Sequence, residues 1–160
     1  MLDALVIGAG ATAFMDVASV LRTRLFATPF PDYALVGRWL AHAAGGQVFH
    51  DAIAKAAPVK REALIGWIAH YGIGVGYAAL LLLIWPDWAD RPTLTHAMLI
   101  GVGTVLAPFL IMQPGMGSGF FASRTPDPNA VRLRSLVTHA SFGLGLYAAG
   151  LARLLVFSER

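Results

Sequence analysis

The chain of 160 residues is 57% apolar and only 13% charged, with a mean hydropathy of +0.64. Soluble domains average ~45–50% and ~25%, so nine acids and twelve bases are too few to cover an aqueous surface. Cysteine is absent, which excludes disulfides, thiolate metal sites and thiol nucleophiles, and a net charge of +3 without a basic, aromatic-laced run argues against nucleic acid.

Residues 4–21, ALVIGAGATAFMDVASVL, form the first apolar segment, interrupted only by Asp16 and followed by Arg22 and Arg24. A cleaved signal peptide carries its bases before the apolar run, whereas here Asp3 precedes it, so the segment is expected to be retained as a span over 4–22. Inside it, Gly8-Ala9-Gly10-Ala11-Thr12-Ala13 matches a dinucleotide-binding fingerprint. That fingerprint needs a βαβ unit and a second strand, and the prolines at 29 and 31 leave room for neither. Small residues that let helices approach closely are the better account.

The TPFP stretch breaks the chain, and residues 33–44, YALVGRWLAHAA, then place Leu35, Val36, Trp39 and Leu40 on one helical face and Arg38 with His42 on the other. Such a helix suits the membrane interface. Gly45-Gly46 ends it, and a polar loop with His50, Asp51, Lys55, Lys60 and Arg61 follows. Residues 63–85 run without a charge, the length that ~20 residues at 1.5 Å each need to cross a core of ~30 Å. The WPDWADRP stretch at 85–92 reads as an interfacial turn. A third span is expected over 93–113 with a kink near Pro108. The glycine-rich stretch behind it, 114–122, fits a re-entrant, interfacial or frayed segment. Asp127 or Asn129 caps a last span over 133–155. The expected fold is an all-α integral membrane protein: one domain over 1–160, four transmembrane helices in a bundle, and an amphipathic interfacial helix in the first loop.

Polar residues inside the apolar runs fall at a common depth. Asp16 lies roughly 9 Å in from Arg22, His70 roughly 12 Å in from Glu62 and His139 roughly 7–8 Å in from Arg134, at the helical rise. Gln113 ends the third span at the same side, so Asp16, His70, Gln113 and His139 form one candidate site for a small ligand, a metal ion or a proton. A buried Asp and His would stabilise each other's charge. Two histidines and a carboxylate suit a divalent transition metal, and paired histidines on separate spans suit haem, although no local ligand motif is present. Met112 and Met116 near Gln113 add soft donors, and His42 and His50 stand in the loop that approaches this depth; these four are secondary candidates. No nucleophile–base pair or paired carboxylates at useful spacing argues for an enzyme. Gly72-x-x-x-Gly76 allows close packing within the chain or against a second copy.

The blocks DYALVGRWLAH at 32–42, HDAIA at 50–54, GWIAHYGIG at 66–74, RPTL at 91–94 and MQPGMGSGFFASRTPDPNAVRLRSLVTHASFGLGLY at 112–147 resemble a bacterial family of small membrane proteins, domain of unknown function 2938. The resemblance spans nearly the whole chain and implies a four-span protein of the bacterial inner membrane; it carries no catalytic residues across. Transport or sensing through the polar site is one expected use. The other is an accessory or scaffold role, docking on a larger membrane complex or a second copy.

Nine of the twelve bases fall in the first and third loops. The positive-inside rule then places those loops in the cytoplasm and both termini in the periplasm. A periplasm-dependent reporter enzyme fused to the C-terminus is expected to be active, and an inactive fusion at equal expression reverses the orientation.

Overall fold

The computed structural model describes residues 1–157, whose regular structure is all helical, with no strand among them. Four stretches, Leu2–Phe26, Glu62–Ile84, Leu94–Gly115 and Pro128–Val156, are long and apolar enough to cross a bilayer. Only 39, 17, 33 and 28% of their most apolar windows is buried inside the protein. Leu83 is 77% exposed and Ile68 64%. Apolar surface on that scale has lipid as its solvent. The chain is a membrane protein.

The helices follow from sequence with instructive differences at their ends. Helix α1, Leu2–Phe26, outruns the expected 4–22 at both ends and stops where Ala27 turns left-handed, at φ 51°. The glycine-rich 8–13 run lies wholly inside it. Helix α2, Tyr33–Ala44, occupies the residues its apolar spacing indicates. Asp32 caps it, Oδ1 accepting from the Ala34 and Leu35 amides at 3.0 and 3.4 Å. Helix α3 is Glu62–Ile84. The third stretch is α4, Leu94–Gly103, then a π-helical turn at Pro108–Met112 and a short α5, Gln113–Gly115. Pro108 has no N–H to give to the turn before it, and the chain absorbs the defect by widening to i→i+5 bonding. Helix α6, Pro128–Phe157, starts earlier than the expected 133 because Asp127, not Asn129, caps it, Oδ1 accepting from the Ala130 amide at 3.0 Å. Glu159 and Arg160, which belong to the terminal charges, lie outside the described residues.

The chain divides into two compact units. The first comprises Met1–Phe30, Tyr71–Thr104 and the described residues from Leu136 on. Its core is built from Ile7, Ala11, Met15, Ala78, Leu81, Ile100, Phe142 and Leu146, with Trp88 among them. Backbones approach closely: Gly8 lies on Val75, Gly74 on Thr12, Gly101 on Gly143 and Gly145 on Ala11, each where a methyl group would collide. Lipid tails are as apolar as leucine, so helices gain little by hiding apolar area from them and associate through close van der Waals contact instead. Trp88, in the stretch expected as an interfacial turn, is 3% exposed; its Nε1 donates to the Thr93 carbonyl at 3.1 Å and its ring covers Gly150. Arg153 ties this end together, donating to Asp3 at 2.9 Å, to the Ala89 carbonyl at 3.1 Å and to Asp90 at 3.2 Å.

The second unit comprises Pro31–His70 and Val105–Ser135. Helix α2 crosses the start of α3 at Gly37, which rests on Glu62 and Gly66, while Gly66 rests on Tyr33. Arg38 forks onto Glu62, Nε to Oε2 at 2.8 Å and Nη2 to Oε1 at 2.7 Å, and its Nη1 donates to the Ile53, Ala54 and Ala56 carbonyls at 3.2–3.3 Å. The loop then runs along the glycine-rich stretch: the His50 amide donates to the Gly115 carbonyl at 2.9 Å and the Ile53 amide to the Met116 carbonyl at 3.0 Å. Gly117, at φ +96°, sits against the Asp51 carbonyl, so both its conformation and its surroundings require glycine.

Candidate functional site

In the first unit α1 carries a polar stripe through its apolar run. Thr12, Asp16, Ser19 and Thr23 recur at spacings of four, three and four, the 3.6-residue period of one helical face. Thr12 and Thr23 return their hydroxyls to their own helix, donating to Gly8 at 2.8 Å and Ser19 at 3.0 Å, which satisfies them without a partner helix. Asp16 Oδ2 accepts from the Tyr71 hydroxyl of α3 at 3.2 Å. Arg22 reaches to Ser19 Oγ and to Thr138 Oγ1 of α6, both at 2.9 Å. By its position in the sequence Arg22 is only a base flanking the first span. Its place on the stripe, three residues beyond Ser19, is the one sequence signal for this inward role.

His139 follows Thr138 on α6, and its Nδ1 lies 2.9 Å from Thr104 Oγ1. Thr104 gives its one hydroxyl proton to the Gly101 carbonyl at 2.7 Å. A carbonyl cannot donate, so both bonds form only if His139 carries its proton on Nδ1. In the neutral ring Nε2 then carries no proton.

The second unit holds the other candidates. The His70 ring stacks on Tyr33 with centroids 4.1 Å apart and meets Trp67 edge-on at 5.6 Å. Gln113 is 7% exposed, and its Nε2 approaches Ser135 Oγ at 3.5 Å, the outer limit of a hydrogen bond. Its buried Oε1 meets no donor among the described residues. Met112 and Met116 act here through the backbone: the Met116 amide donates to the Met112 carbonyl at 2.8 Å.

The two loop histidines form a chain of their own. His42 Nδ1 lies 2.9 Å from His50 Nε2, His42 Nε2 lies 3.0 Å from the Ala57 carbonyl, and His50 Nδ1 lies 3.2 Å from the Gly115 carbonyl. Neighbouring Arg38 is held charged, its pKa raised above the ordinary value by its hydrogen bond to Glu62, with burial opposing and Coulombic attraction adding.

Among the described residues no three of His, Asp or Glu converge closely enough to hold a metal ion. The family described as "Protein of unknown function (DUF2938)" matches residues 5–153. The chain belongs to that family. Asp16, His70, Gln113 and His139 all lie within the residues that the DUF2938 match covers. No curated protein and no solved structure matches the chain.

For this DUF2938 member the Thr104–His139 geometry predicts one imidazole tautomer. Nitrogen-15 NMR of histidine-labelled protein is expected to show His139 protonated on Nδ1, and Thr104→Val to move the proton toward Nε2. An Nε2–H signal in the unmodified protein would show that Thr104 donates to His139 instead.

Proposed function

We propose that this four-span protein of the bacterial inner membrane, its helices bundled and its basic loops in the cytoplasm, handles protons at a polar site within the cytoplasmic third of the spans. The observation that carries the reading is the presence, inside one compact unit, of a carboxylate and an imidazole, each hydrogen-bonded to a hydroxyl: Asp16 to Tyr71 and His139 to Thr104. Ionisable groups within a bilayer are costly, at ~2.5 kcal/mol upward for a lipid-facing charge, and are kept where they move or sense ions. A proton asks only for one group that gives and one that takes, whereas a bound metal asks for three or more converging donors. Interfacial placement of α2, with its indole and tyrosine at the membrane surface, belongs to the same reading.

In liposomes containing a pH-sensitive dye, the protein is expected to hasten collapse of an imposed pH gradient, and Asp16→Asn or His139→Gln to slow that collapse about tenfold. Decay no faster than in empty liposomes removes proton movement.

One observation favours the second reading, an accessory subunit or self-associating protein. Gly72 and Gly76 of α3 are exposed, and a methyl group at either would meet nothing within 4 Å. Glycines that pack nothing inside the chain form a face on which a second helix can seat. Gly76→Leu is expected to abolish cross-linked oligomers in membranes while leaving the monomer folded; undiminished cross-linking excludes this face.

A further inference from the structure

The second unit contains a cleft of about 760 Å³ lined in part by Gln47, Phe49, His50, Asp51, Lys55 and Arg124. None of these groups takes part in the intramembrane proton site, and the cleft's chemistry is independent of it. We propose that this cleft binds a phosphate ester at the membrane surface, gripped by Lys55 and Arg124 and by one positive charge shared between His42 and His50.

The shared charge follows from counting protons. Carbonyls only accept, so His42 Nε2, 3.0 Å from the Ala57 carbonyl, and His50 Nδ1, 3.2 Å from the Gly115 carbonyl, must each carry a hydrogen. The facing nitrogens, His42 Nδ1 and His50 Nε2, stand 2.9 Å apart, and a bond between them needs one proton more. Three protons on two imidazoles make one cation. With only two protons, one of the three contacts becomes lone pair against lone pair. All three contacts are satisfied together only in the charged pair, and His50 lies at the cleft wall.

The surrounding charges favour an anion. Arg38 and Glu62, beside His42 on α2 and α3, cancel each other in their fork. Lys55 and Arg124 are exposed on the cleft and enter no ion pair among the described residues. Asp51 is the one carboxylate in the lining, set against two permanent cations and the pair's single charge. A guanidinium fork and an ammonium in one lining are the donors that phosphate oxygens take up. The cleft is far larger than a bare phosphate and falls among pockets of ~300–1,000 Å³ that hold small organic ligands. Asp51 is placed to accept from a hydroxyl of the substituent. Phe49, 72% exposed, gives the same lining an apolar flank. An anionic phospholipid headgroup and a soluble phosphate ester share this chemistry.

The full chain in detergent is the material for the test. One arm measures phosphatidylglycerol retention by native mass spectrometry against phosphatidylcholine; the other titrates glycerol 3-phosphate calorimetrically. Saturable binding is expected in at least one arm, in the lipid arm alone if the source is a headgroup and in the soluble arm if it is a free ester. Lys55→Gln and Arg124→Gln, both exposed, are expected to weaken it about tenfold each while melting within a few degrees of the parent. His42→Gln, which removes one of the two facing rings, is expected to weaken binding several-fold as well. No saturable binding in either arm, or unchanged binding in both charge variants, overturns the proposal. Binding unchanged in His42→Gln overturns the role given to the histidine pair.

Discussion

A guanidinium cannot shed its proton, so wherever the chain buries one it must be surrounded by acceptors. Arg38 is the case on which the second unit depends. Its side chain is only 12% exposed, and it spends its donors on both oxygens of Glu62 and on the carbonyls of Ile53, Ala54 and Ala56. One residue thereby fastens α2 to the first turn of α3 and folds the intervening loop back between them. Glu62 is committed in the same way, since Oε2 also accepts the Val59 amide at 2.9 Å. The loop so placed delivers the Ala57 carbonyl to His42 and lays His50 along Gly115. Without the fork, the segment that brings the two imidazoles face to face would lose its anchor on α2.

The first unit solves the same problem with a different arginine. Arg153 gathers Asp3 from the start of α1 and the Ala89 carbonyl and Asp90 from the turn before α4. Its three acceptors come from parts of the chain remote in sequence, so they close the unit as a crosslink would. The interior carries Asp16 and Arg22, each held by hydroxyls. There, glycines at 8, 74, 101 and 145 bring backbones together, and hydroxyls serve as the short polar links. The division of labour is physical: in lipid, apolar surface alone gives helices no reason to choose one partner over another.

The four spans are legible in the sequence because crossing a bilayer imposes a length and a composition that soluble helices do not share. Helix α2 is legible from its spacing, and the Pro108 defect from the missing N–H. Azimuth is not legible. Hydropathy gives the depth of a residue and says nothing of which way it faces, so the sequence does not show that the Trp88 ring is buried over Gly150. The same blindness hides Arg22, which by position is a loop-flanking base and by direction is the partner of Ser19 and Thr138. His42 and His50 are readable as loop histidines, but their pairing depends on a backbone path through residues 53–57 that the Arg38 fork determines. Asp16 and His139 are found in the same unit, each on a hydroxyl that fixes its orientation.

The irregular end of the third span links these observations. Pro108 interrupts the ladder, the π turn returns the Gln113 amide to the Pro108 carbonyl, and the helix stops two residues later at Gly115. Terminal carbonyls of a helix have no partner within it and must find one outside. Here Gly115 and Met116 give theirs to the His50 and Ile53 amides, and Gly115 accepts the His50 ring as well. A span continued as regular α-helix through this region would have consumed those carbonyls internally and left the loop, the imidazole pair and the cleft wall without their attachment. The span resumes after the proline and stops short of Gly117, whose φ of +96° no helix accommodates, and its freed end organises the surface beyond it.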